Sequence, residues 1–362
     1  MPRAEARVDL DAIVANVARL RDALSPGAQL CAVVKANAYG HGAVPVAQAA
    51  LAGGATWLAV VTGAEALALR EGGIPDDVRI LAMGALDQTE LERAIAADAD
   101  IGAWNTRWLR SLGDRPARVH VKLDTGMGRL GTRDPRQADE VIEVLGERCV
   151  GLWTHLATAD ERDDRFFAEQ VRRFRDWAAP HKERNPALVL HAANSAGTLR
   201  DPGAHFDLVR CGIAIYGLDP FGEDAAAHGL RPALRLRSYV AALKEAAPGQ
   251  SAGYGRRFIA DEPTRIATVP IGYGDGWRRG LSNNAEVVIN GQRYPVVGTI
   301  SMDNLTVDVG LDSDVRPGDE VVLLGDGISA EEVAERLGTI NYEVTTALLP
   351  RTKRAYVGAG RG

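Results

Sequence analysis

The sequence predicts a parallel (β/α)8 barrel followed by a smaller, mostly antiparallel β domain. Eight short apolar runs alternate with helical patterns over about 220 residues, and helical patterns nearly vanish after Pro232. Eight strands that alternate with helices over this length are typical of the barrel. A doubly wound open sheet is the competing topology, because hydrophobic periodicity does not report whether a sheet closes.

The first predicted element is a helix capped by Asp9 or Asp11, with apolar residues on one face and a stop at Ser25-Pro26-Gly27. The predicted barrel strands follow at residues 30–34, 57–61, 80–83, 101–104, 119–123, 150–154, 188–191 and 208–213. Helical patterns at residues 43–51, 64–70, 89–97 and 137–145 separate several of them.

The segments after Pro232 predict a β domain with a single helix at residues 330–337. Its strands are predicted at residues 234–243, 264–271, 285–289, 294–297, 305–309 and 320–324. Asn290-Gly291 predicts a two-residue hairpin turn between two of them. We therefore predict a barrel domain over residues 1–232 and a β domain over residues 233–362.

Composition indicates a cytoplasmic globular protein. The chain is 46% hydrophobic and 25% charged, and its net charge of -6 argues against a nucleic-acid surface. Its three cysteines, Cys31, Cys149 and Cys211, are widely spaced among apolar residues, which indicates reduced core thiols and no metal site. We find no apolar leader and no run of membrane-spanning length, so we expect no membrane partner.

Lys35 is the first candidate for chemistry, because lysine is scarce in this chain. Of 42 basic residues only five are lysine, and Lys35 ends an apolar strand and precedes turn residues. A buried amine can lose its proton and form a Schiff base with a carbonyl, whereas a guanidinium stays protonated. The alternative is a partly buried lysine whose stem reaches solvent.

Other polar residues follow the later predicted strands, where barrel enzymes place their chemistry. They are Lys122 and Asp124 after the fifth strand, His155 after the sixth, Asn194 and Ser195 after the seventh, and Arg210, Gly212 and Ile213 at the eighth. This set suits a phosphorylated carbonyl cofactor, with its phosphate near the last two strands. Each residue alone is equally typical of a cap or a turn.

Two other kinds of site fit the sequence less well. Residues 126–131 match G-x-G-x-x-G, but Asp134-Pro135 separates the run from the next helix, unlike a dinucleotide fingerprint. His155, His191 and Asp124 at strand ends suggest a metal hydrolase, but no H-x-H or H-E-x-x-H spacing supports one.

Short motifs in both halves of the chain point to one family. They are residues 32–42, 122–131, 154–155, 194–199, 210–213, 251–255, 301–303 and 340–343. Together they resemble the alanine racemases, fold-type III enzymes that use pyridoxal 5'-phosphate, over essentially the whole length.

The resemblance implies a role for each matching residue. It implies that Lys35 holds pyridoxal phosphate and that His155 packs against the pyridine ring. The phosphate ligands would be Tyr39, Ser195, Gly212, Ile213 and Tyr342, in addition to Asn194, which its strand-end position suggests. Arg129 and Met302 would contact substrate, with Lys122 and Asp303 in supporting roles.

The resemblance also implies a two-base mechanism in a homodimer. Racemisation needs acid/base groups on opposite faces of the α-carbon. Lys35 would act on the D-enantiomer and Tyr254 on the L-enantiomer, with Tyr254, Met302 and Asp303 reaching the barrel of the partner subunit. Arg210 would leave the pyridine nitrogen unprotonated, because guanidinium holds its proton tightly.

Two positions vary within the family. Some members carry the lysine at position 122 as a carbamate, which orients the arginine at position 129. Many members have arginine where this chain has Thr299, three residues before Met302, so the family's substrate corridor is altered here.

We therefore expect an alanine racemase that interconverts L- and D-alanine and supplies D-alanine for peptidoglycan. One alternative is a racemase of serine or of several amino acids on the same scaffold. The other is a pyridoxal-phosphate-binding protein without turnover, against which Tyr254 argues, because a carrier needs no second base.

Overall fold

The computed structural model describes residues 2–162 and 164–358, and these form two compact units. The barrel unit comprises Ala12–Ala38 and Ala43–Arg231. The C-terminal unit comprises the described residues of Met1–Asp11, Tyr39–Gly42 and Pro232–Gly362, and it includes the first strand, β1 (Glu5–Asp9). The predicted fold class, a parallel barrel with a mostly antiparallel β domain, is confirmed.

Eight parallel strands close the barrel, because β2 pairs with β9. The strands are β2 (Gln29–Val33), β3 (Trp57–Val60), β4 (Arg79–Ala82), β5 (Asp100–Ala103), β6 (Val119–Lys122), β7 (Cys149–Trp153), β8 (Val189–His191) and β9 (Leu208–Cys211). Most of their residues are buried, and strands of parallel sheets covered on both faces are near-continuous apolar runs. All eight predicted strands are therefore found.

The helices of the barrel unit follow the strands. They are α1 (Leu10–Asp22), α2 (Ala43–Ala52), α3 (Gly63–Glu71), α4 (Gln88–Ala96), α5 (Thr106–Leu112), α6 (Pro135–Leu145), α7 (Phe166–Arg184) and α8 (Ser195–Arg200). The first helix ends at Asp22, one turn before the predicted stop. Among the described residues, no helix combines the length and the apolar character needed to cross a bilayer.

Besides β1, the described part of the C-terminal unit contains ten strands and two α-helices. They are β10 (Leu234–Tyr239), β11 (Ala242–Ala246), β12 (Ser251–Ala252), β13 (Phe258–Ile259), β14 (Thr264–Val269), β15 (Glu286–Ile289), β16 (Gln292–Val297), β17 (Leu305–Asp308), β18 (Glu320–Leu324) and β19 (Lys353–Val357), with helices α9 (Ala330–Leu337) and α10 (Asn341–Thr346). Nine of the strands form one sheet in the order β11-β14-β17-β16-β15-β18-β10-β1-β19, and β12 pairs with β13 in a separate sheet.

The predicted hairpin at Asn290-Gly291 is confirmed. Ile289 pairs with Gln292, and φ is positive at both turn residues, 51° and 79°, as this turn type requires. The single strand predicted at residues 234–243 is wrong. The segment forms two strands, β10 and β11, separated at Val240 and Ala241, where the hydrogen-bonding partner changes from β18 to β14. Strands β1, β12, β13 and β19 and helix α10 of this unit were not predicted.

Candidate active site

Lys35 begins a turn of left-handed helix at the C-terminal end of β2. Ala36, Asn37 and Ala38 have φ of 51°, 53° and 52°, and Tyr39 has φ of 50°. This conformation costs roughly 1–2 kcal/mol per residue for an L-amino acid. Glu65 compensates in part, because its carboxylate accepts a hydrogen bond of 2.7 Å from the Ala36 amide. The turn thus fixes the backbone beside the candidate lysine.

The Lys35 amine lies in surroundings that favour its neutral form. Burial lowers the pKa of Lys35, and the nearby Arg129 guanidinium lowers it further, against a smaller opposing effect of Glu65. A neutral amine is the form that attacks a carbonyl or accepts a proton. The local electrostatics therefore suit the predicted role of Lys35.

Lys122 ends β6 and is buried, with 1% of its surface exposed. Its amine lies 4.2 Å from the centre of the Trp153 ring. Burial, Arg210 and Arg129 together lower the pKa of Lys122 to about 7, although Asp124 opposes them. The site therefore disfavours a cation here and suits a neutral or negatively charged group.

Asp124 organises the glycine-rich loop that follows β6. Its carboxylate accepts hydrogen bonds of 3.0 Å from the amides of Gly126 and Gly128, and it contacts Arg133 at 3.2 Å. The loop closes around a carboxylate of the chain itself and presents the exposed Arg129. This geometry gives no support to a dinucleotide site.

Arg210 lies at the centre of the polar groups inside the barrel, and it is only 3% exposed. One terminal nitrogen donates to His191 Nδ1 at 2.8 Å; the other donates to the carbonyls of Thr154 and Ala192 and lies 3.3 Å from His155 Nδ1. No described residue accepts a hydrogen bond from its Nε–H group. Arg210 therefore keeps one fixed donor available to a ligand.

Burial and the surrounding cations set the charge of this cluster. Burial lowers the pKa of Arg210 to about 10, which leaves it protonated near neutrality. The pKa of His155 lies well below its ordinary value because of burial and the charges of Arg210, Lys122, Arg129 and Lys35. His155 is accordingly a neutral ring, as a group that packs against an aromatic cofactor would be.

Ser195 links the loops after the last two barrel strands. Its hydroxyl accepts hydrogen bonds from the amides of Gly212, at 2.9 Å, and Ala214, at 3.3 Å. The side chain of Asn194 instead caps α8, accepting from the Gly197 amide at 2.9 Å. The structure thus brings Ser195 and Gly212 together, with Ile213 next in the chain, and uses the Asn194 side chain for a structural bond.

Tyr39 and Tyr342 meet within the C-terminal unit. Their ring centres lie 6.0 Å apart with planes tilted by 39°. Burial raises the pKa of Tyr39 above its ordinary value, so its hydroxyl stays protonated and can donate a hydrogen bond. The two residues predicted to hold a phosphate together are therefore neighbours.

Tyr254 projects from a tight turn in the same unit, with 75% of its surface exposed. Gly253 and Gly255 flank it with φ of 74° and 71°, values that only glycine adopts readily. The Thr299 hydroxyl donates to the Tyr254 carbonyl at 2.8 Å, beside a pocket of about 340 Å³. The turn is fixed, while the phenol is presented outward.

Met302 and Asp303 lie on a neighbouring loop that two arginines hold. Arg351 donates to the carbonyl of Met302 at 3.1 Å and to the carboxylate of Asp303 at 2.7 Å. It also pairs with the fully buried Asp275 at 2.8 Å, and Arg3 pairs with the same carboxylate oxygen at 2.6 Å. The Met302 side chain stays 52% exposed. Arg351 therefore ties Asp303 to this loop.

Comparisons with known proteins agree with the motifs. The family model described as "Alanine racemase, N-terminal domain" matches residues 8–220, and that described as "Alanine racemase, C-terminal domain" matches residues 233–356. The chain belongs to the alanine racemase family. Racemases are isomerases, so the chain is an enzyme of that class, and the predicted family is confirmed.

Relatives match over nearly their whole length. The alanine racemase of Thermobifida fusca is 43% identical over 99% of this chain and 99% of the relative. Among solved structures, the alanine racemase from D-cycloserine-producing Streptomyces lavendulae has a TM-score of 0.92 at 38% identity, covering 99% and 98% of the two chains. That of Streptomyces coelicolor has a TM-score of 0.92 at 40% identity, covering 98% of each chain.

Several residues that shape the site were missed in the sequence. Glu65 anchors the left-handed turn and also closes a capping box with Thr62 at the start of α3. The spacing Thr62-x-x-Glu65 was a readable signal for the capping box. Asp100, His120 and Asp275 gave no local signal, because their partners are distant in sequence. His191 was noted only as a metal ligand, and no group of residues suited to hold a metal ion occurs among the residues described.

Proposed function

We propose that this alanine racemase family member interconverts L- and D-alanine with pyridoxal 5'-phosphate, held covalently by Lys35. When bound, the cofactor supplies an electron sink that makes the α-proton of an amino acid acidic. The observation that carries the proposal is Arg210, a buried guanidinium whose Nε–H has no acceptor among the described residues. The Ser195 hydroxyl and the Ile213 amide suit the phosphate, whereas the Gly212 amide donates to Ser195 and the Asn194 side chain acts as a cap. Tyr39 and Tyr342 are the further phosphate ligands that the family resemblance implies.

Lys35 and Tyr254 are the proposed proton carriers. The neutral form that burial and Arg129 favour lets Lys35 accept a proton at Nζ on one face of the substrate. The Tyr254 phenol would serve the opposite face. The neutral His155 would pack against the cofactor ring, and Arg129 and Met302 would orient the substrate.

Arg210 limits side reactions in this scheme. Its pKa of about 10 keeps the guanidinium protonated at neutral pH, so its Nε–H would donate a hydrogen bond to the cofactor's ring nitrogen without giving up the proton. Arg210 would thereby leave that nitrogen without a full positive charge and favour return of the proton to the α-carbon.

The exposure of the proposed second base supports a homodimer with shared sites. Tyr254, Met302 and Tyr273 are 75%, 52% and 40% exposed on the C-terminal unit of a single chain. Large exposed apolar and aromatic side chains grouped in this way mark interaction surfaces. We propose that Tyr254, Met302 and Asp303 complete the site of the partner subunit, and that the product D-alanine supplies peptidoglycan synthesis.

Chiral analysis of L-alanine incubated with purified protein and pyridoxal phosphate tests the proposal. We expect conversion to an equal mixture of the enantiomers, with serine and other amino acids converted more slowly. Faster conversion of serine would make the enzyme a serine or broad-substrate racemase. Cofactor binding without conversion of any amino acid would make the protein a carrier.

A further inference from the structure

A buried hydrogen-bond chain connects Arg210 to Asp100. His191 Nδ1 lies 2.8 Å from Arg210 Nη1, and His191 Nε2 lies 2.8 Å from His120 Nδ1. His120 Nε2 then lies 2.8 Å from Asp100 Oδ2. Both histidines and Asp100 are fully buried. We call these four residues the histidine chain.

The two ends of the histidine chain determine where every proton lies. Arg210 can only donate, so His191 Nδ1 accepts and carries no hydrogen. Ionised Asp100 can only accept, so His120 Nε2 carries a hydrogen. If His120 also donated to His191, both nitrogens of His191 would be bare and that ring would be an anion. His191 therefore donates from Nε2, and both rings are neutral Nε2–H tautomers.

Asp100 is well suited to act as the ionised end. It also pairs with Arg118, at 2.6 Å, and with Arg79. Burial raises the pKa of the Asp100 carboxyl, but the hydrogen bonds from His120 and Arg79 outweigh it and hold that pKa well below the ordinary range. Asp100 begins β5 and His191 ends β8, so the histidine chain runs through the barrel interior from the N-terminal ends of the strands toward their C-terminal ends.

The packing around the two rings holds them in place. Trp153 stacks on His191 with ring centres 5.6 Å apart and planes 12° apart, and Trp57 meets the edge of His120 at 5.8 Å. Gly151 lies beside His120, and a Cβ at that position would come within 2.2 Å of Nδ1. The glycine therefore provides the space that the His120 ring occupies.

We infer that Asp100 is a positioning residue for Arg210, fixing the direction of its hydrogen bonds through two neutral histidines. With Nη1 committed to His191, the guanidinium has one orientation, and its Nε–H group keeps one direction. The consequence for catalysis rests on the proposed function, because it assumes that Arg210 faces the cofactor's ring nitrogen. The tautomers themselves do not depend on it.

Nitrogen-15 solid-state NMR of cofactor-free protein labelled in histidine tests the tautomers directly. We expect the Nε2–H tautomer for both His120 and His191, assigned with the His120→Gln and His191→Gln variants. A hydrogen on Nδ1 of either ring, or a doubly protonated His120, would overturn the inference. This measurement does not depend on whether the protein racemises alanine.

The Asp100→Asn variant tests the positioning role while nearly keeping the side-chain shape. An asparagine that turns its oxygen toward Arg118 presents an N–H to His120 Nε2, which would force the hydrogen of His120 onto Nδ1. His120 would then donate to His191 Nε2, so the hydrogen of His191 would move to Nδ1. That N–H would face the N–H donor of Arg210. We expect this tautomer change, together with a rise of about 2- to 30-fold in pyruvate released per racemisation turnover. Pyruvate would report half-transamination, in which the amino group of alanine would be left on the cofactor; this is the side reaction that an Arg210 out of position would permit.

Arg79→Gln is the matched control. It also removes an ion pair from Asp100, yet it leaves the carboxylate, Arg118 and the histidine chain unchanged. We expect a change in melting temperature but wild-type tautomers and a wild-type pyruvate ratio. If Asp100→Asn likewise lowers only the melting temperature, Asp100 is merely structural and the inference fails. Absence of racemisation by wild-type protein would refute the proposed function instead.

Discussion

The Thr299 hydroxyl donates a hydrogen bond of 2.8 Å to the main-chain carbonyl of Tyr254. Thr299 is 5% exposed, and it stands where many members of the family have arginine. The residue at which this chain departs from the family pattern thus holds the turn that carries the proposed second base. A hydroxyl here supports Tyr254 through its backbone, so the ring stays free for chemistry.

We expect Thr299→Val to lower kcat by roughly 2- to 10-fold, because one hydrogen bond contributes about 0.5–1.5 kcal/mol and the Tyr254 turn would lose its anchor. Thr299→Ser keeps the hydroxyl and should keep most of the rate. Steady-state kinetics in both directions check this. Equal rates for the valine and serine variants would show that the bond does not position Tyr254.

Lys35 should be the residue that binds the cofactor covalently. Its amine is favoured in the neutral form and follows a fixed left-handed turn. Borohydride reduction followed by peptide mapping should place the phosphopyridoxyl group on the peptide that contains Lys35. Finding it on Lys122, whose pKa is also lowered, would refute the assignment.

Tyr254→Phe should keep the cofactor's visible absorption and lose about 10²- to 10⁴-fold in rate, the usual scale for a removed acid/base group. The ring is largely exposed on its own chain, so removing one hydroxyl should leave the fold unchanged. Absorption spectra and racemisation rates measure the two effects. Near-normal turnover in both directions is incompatible with two bases.

Lys122 should give a pH dependence with a definite sign in CO₂-free buffer. Its folded-state pKa of about 7 lies below the ordinary value of 10.5, so between these values the unfolded chain binds a proton that the folded chain does not. Stability of the wild type relative to Lys122→Met should therefore rise as pH increases through this window. Denaturant unfolding from pH 7 to 10 measures the difference, and a flat difference would contradict the lowered pKa.

The same surroundings favour a carbamate at Lys122. A neutral amine adds CO₂ and releases a proton, and Arg210 and Arg129, which repel a cation there, would attract the resulting anion. We expect protein equilibrated with ¹³C-bicarbonate to show a carbamate carbon resonance that is missing in Lys122→Met. A wild-type spectrum without that resonance would mean that Lys122 stays a simple amine.

The barrel was predictable because its strands are buried on both faces and leave apolar runs that need no knowledge of their partners. The left-handed turn after Lys35 was not, since Ala36 and Ala38 carry no preference for positive φ and the turn depends on Glu65, about thirty residues away. The break at Val240 and Ala241 escaped for a similar reason, because no turn residue separates the two flanking strands and only their partners differ.

The candidate site residues came from family motifs and from their positions at strand ends, and their catalytic roles remain predictions. The support around them was not predictable. Asp100, His120, His191 and Arg210 lie on four different strands, and only closure of the barrel brings them into one hydrogen-bond chain.

A mixed dimer tests most directly the claim that Lys35 and Tyr254 of different subunits form one site. Lys35→Ala and Tyr254→Phe chains are refolded together until mass measurement shows heterodimers. About half the dimers are then mixed, and each has one site with both bases and one site with neither. Activity should return to roughly a quarter of the wild-type level at equal total protein, as two-fold symmetry requires. No recovery despite heterodimers would mean that both bases come from the same chain, contradicting the account.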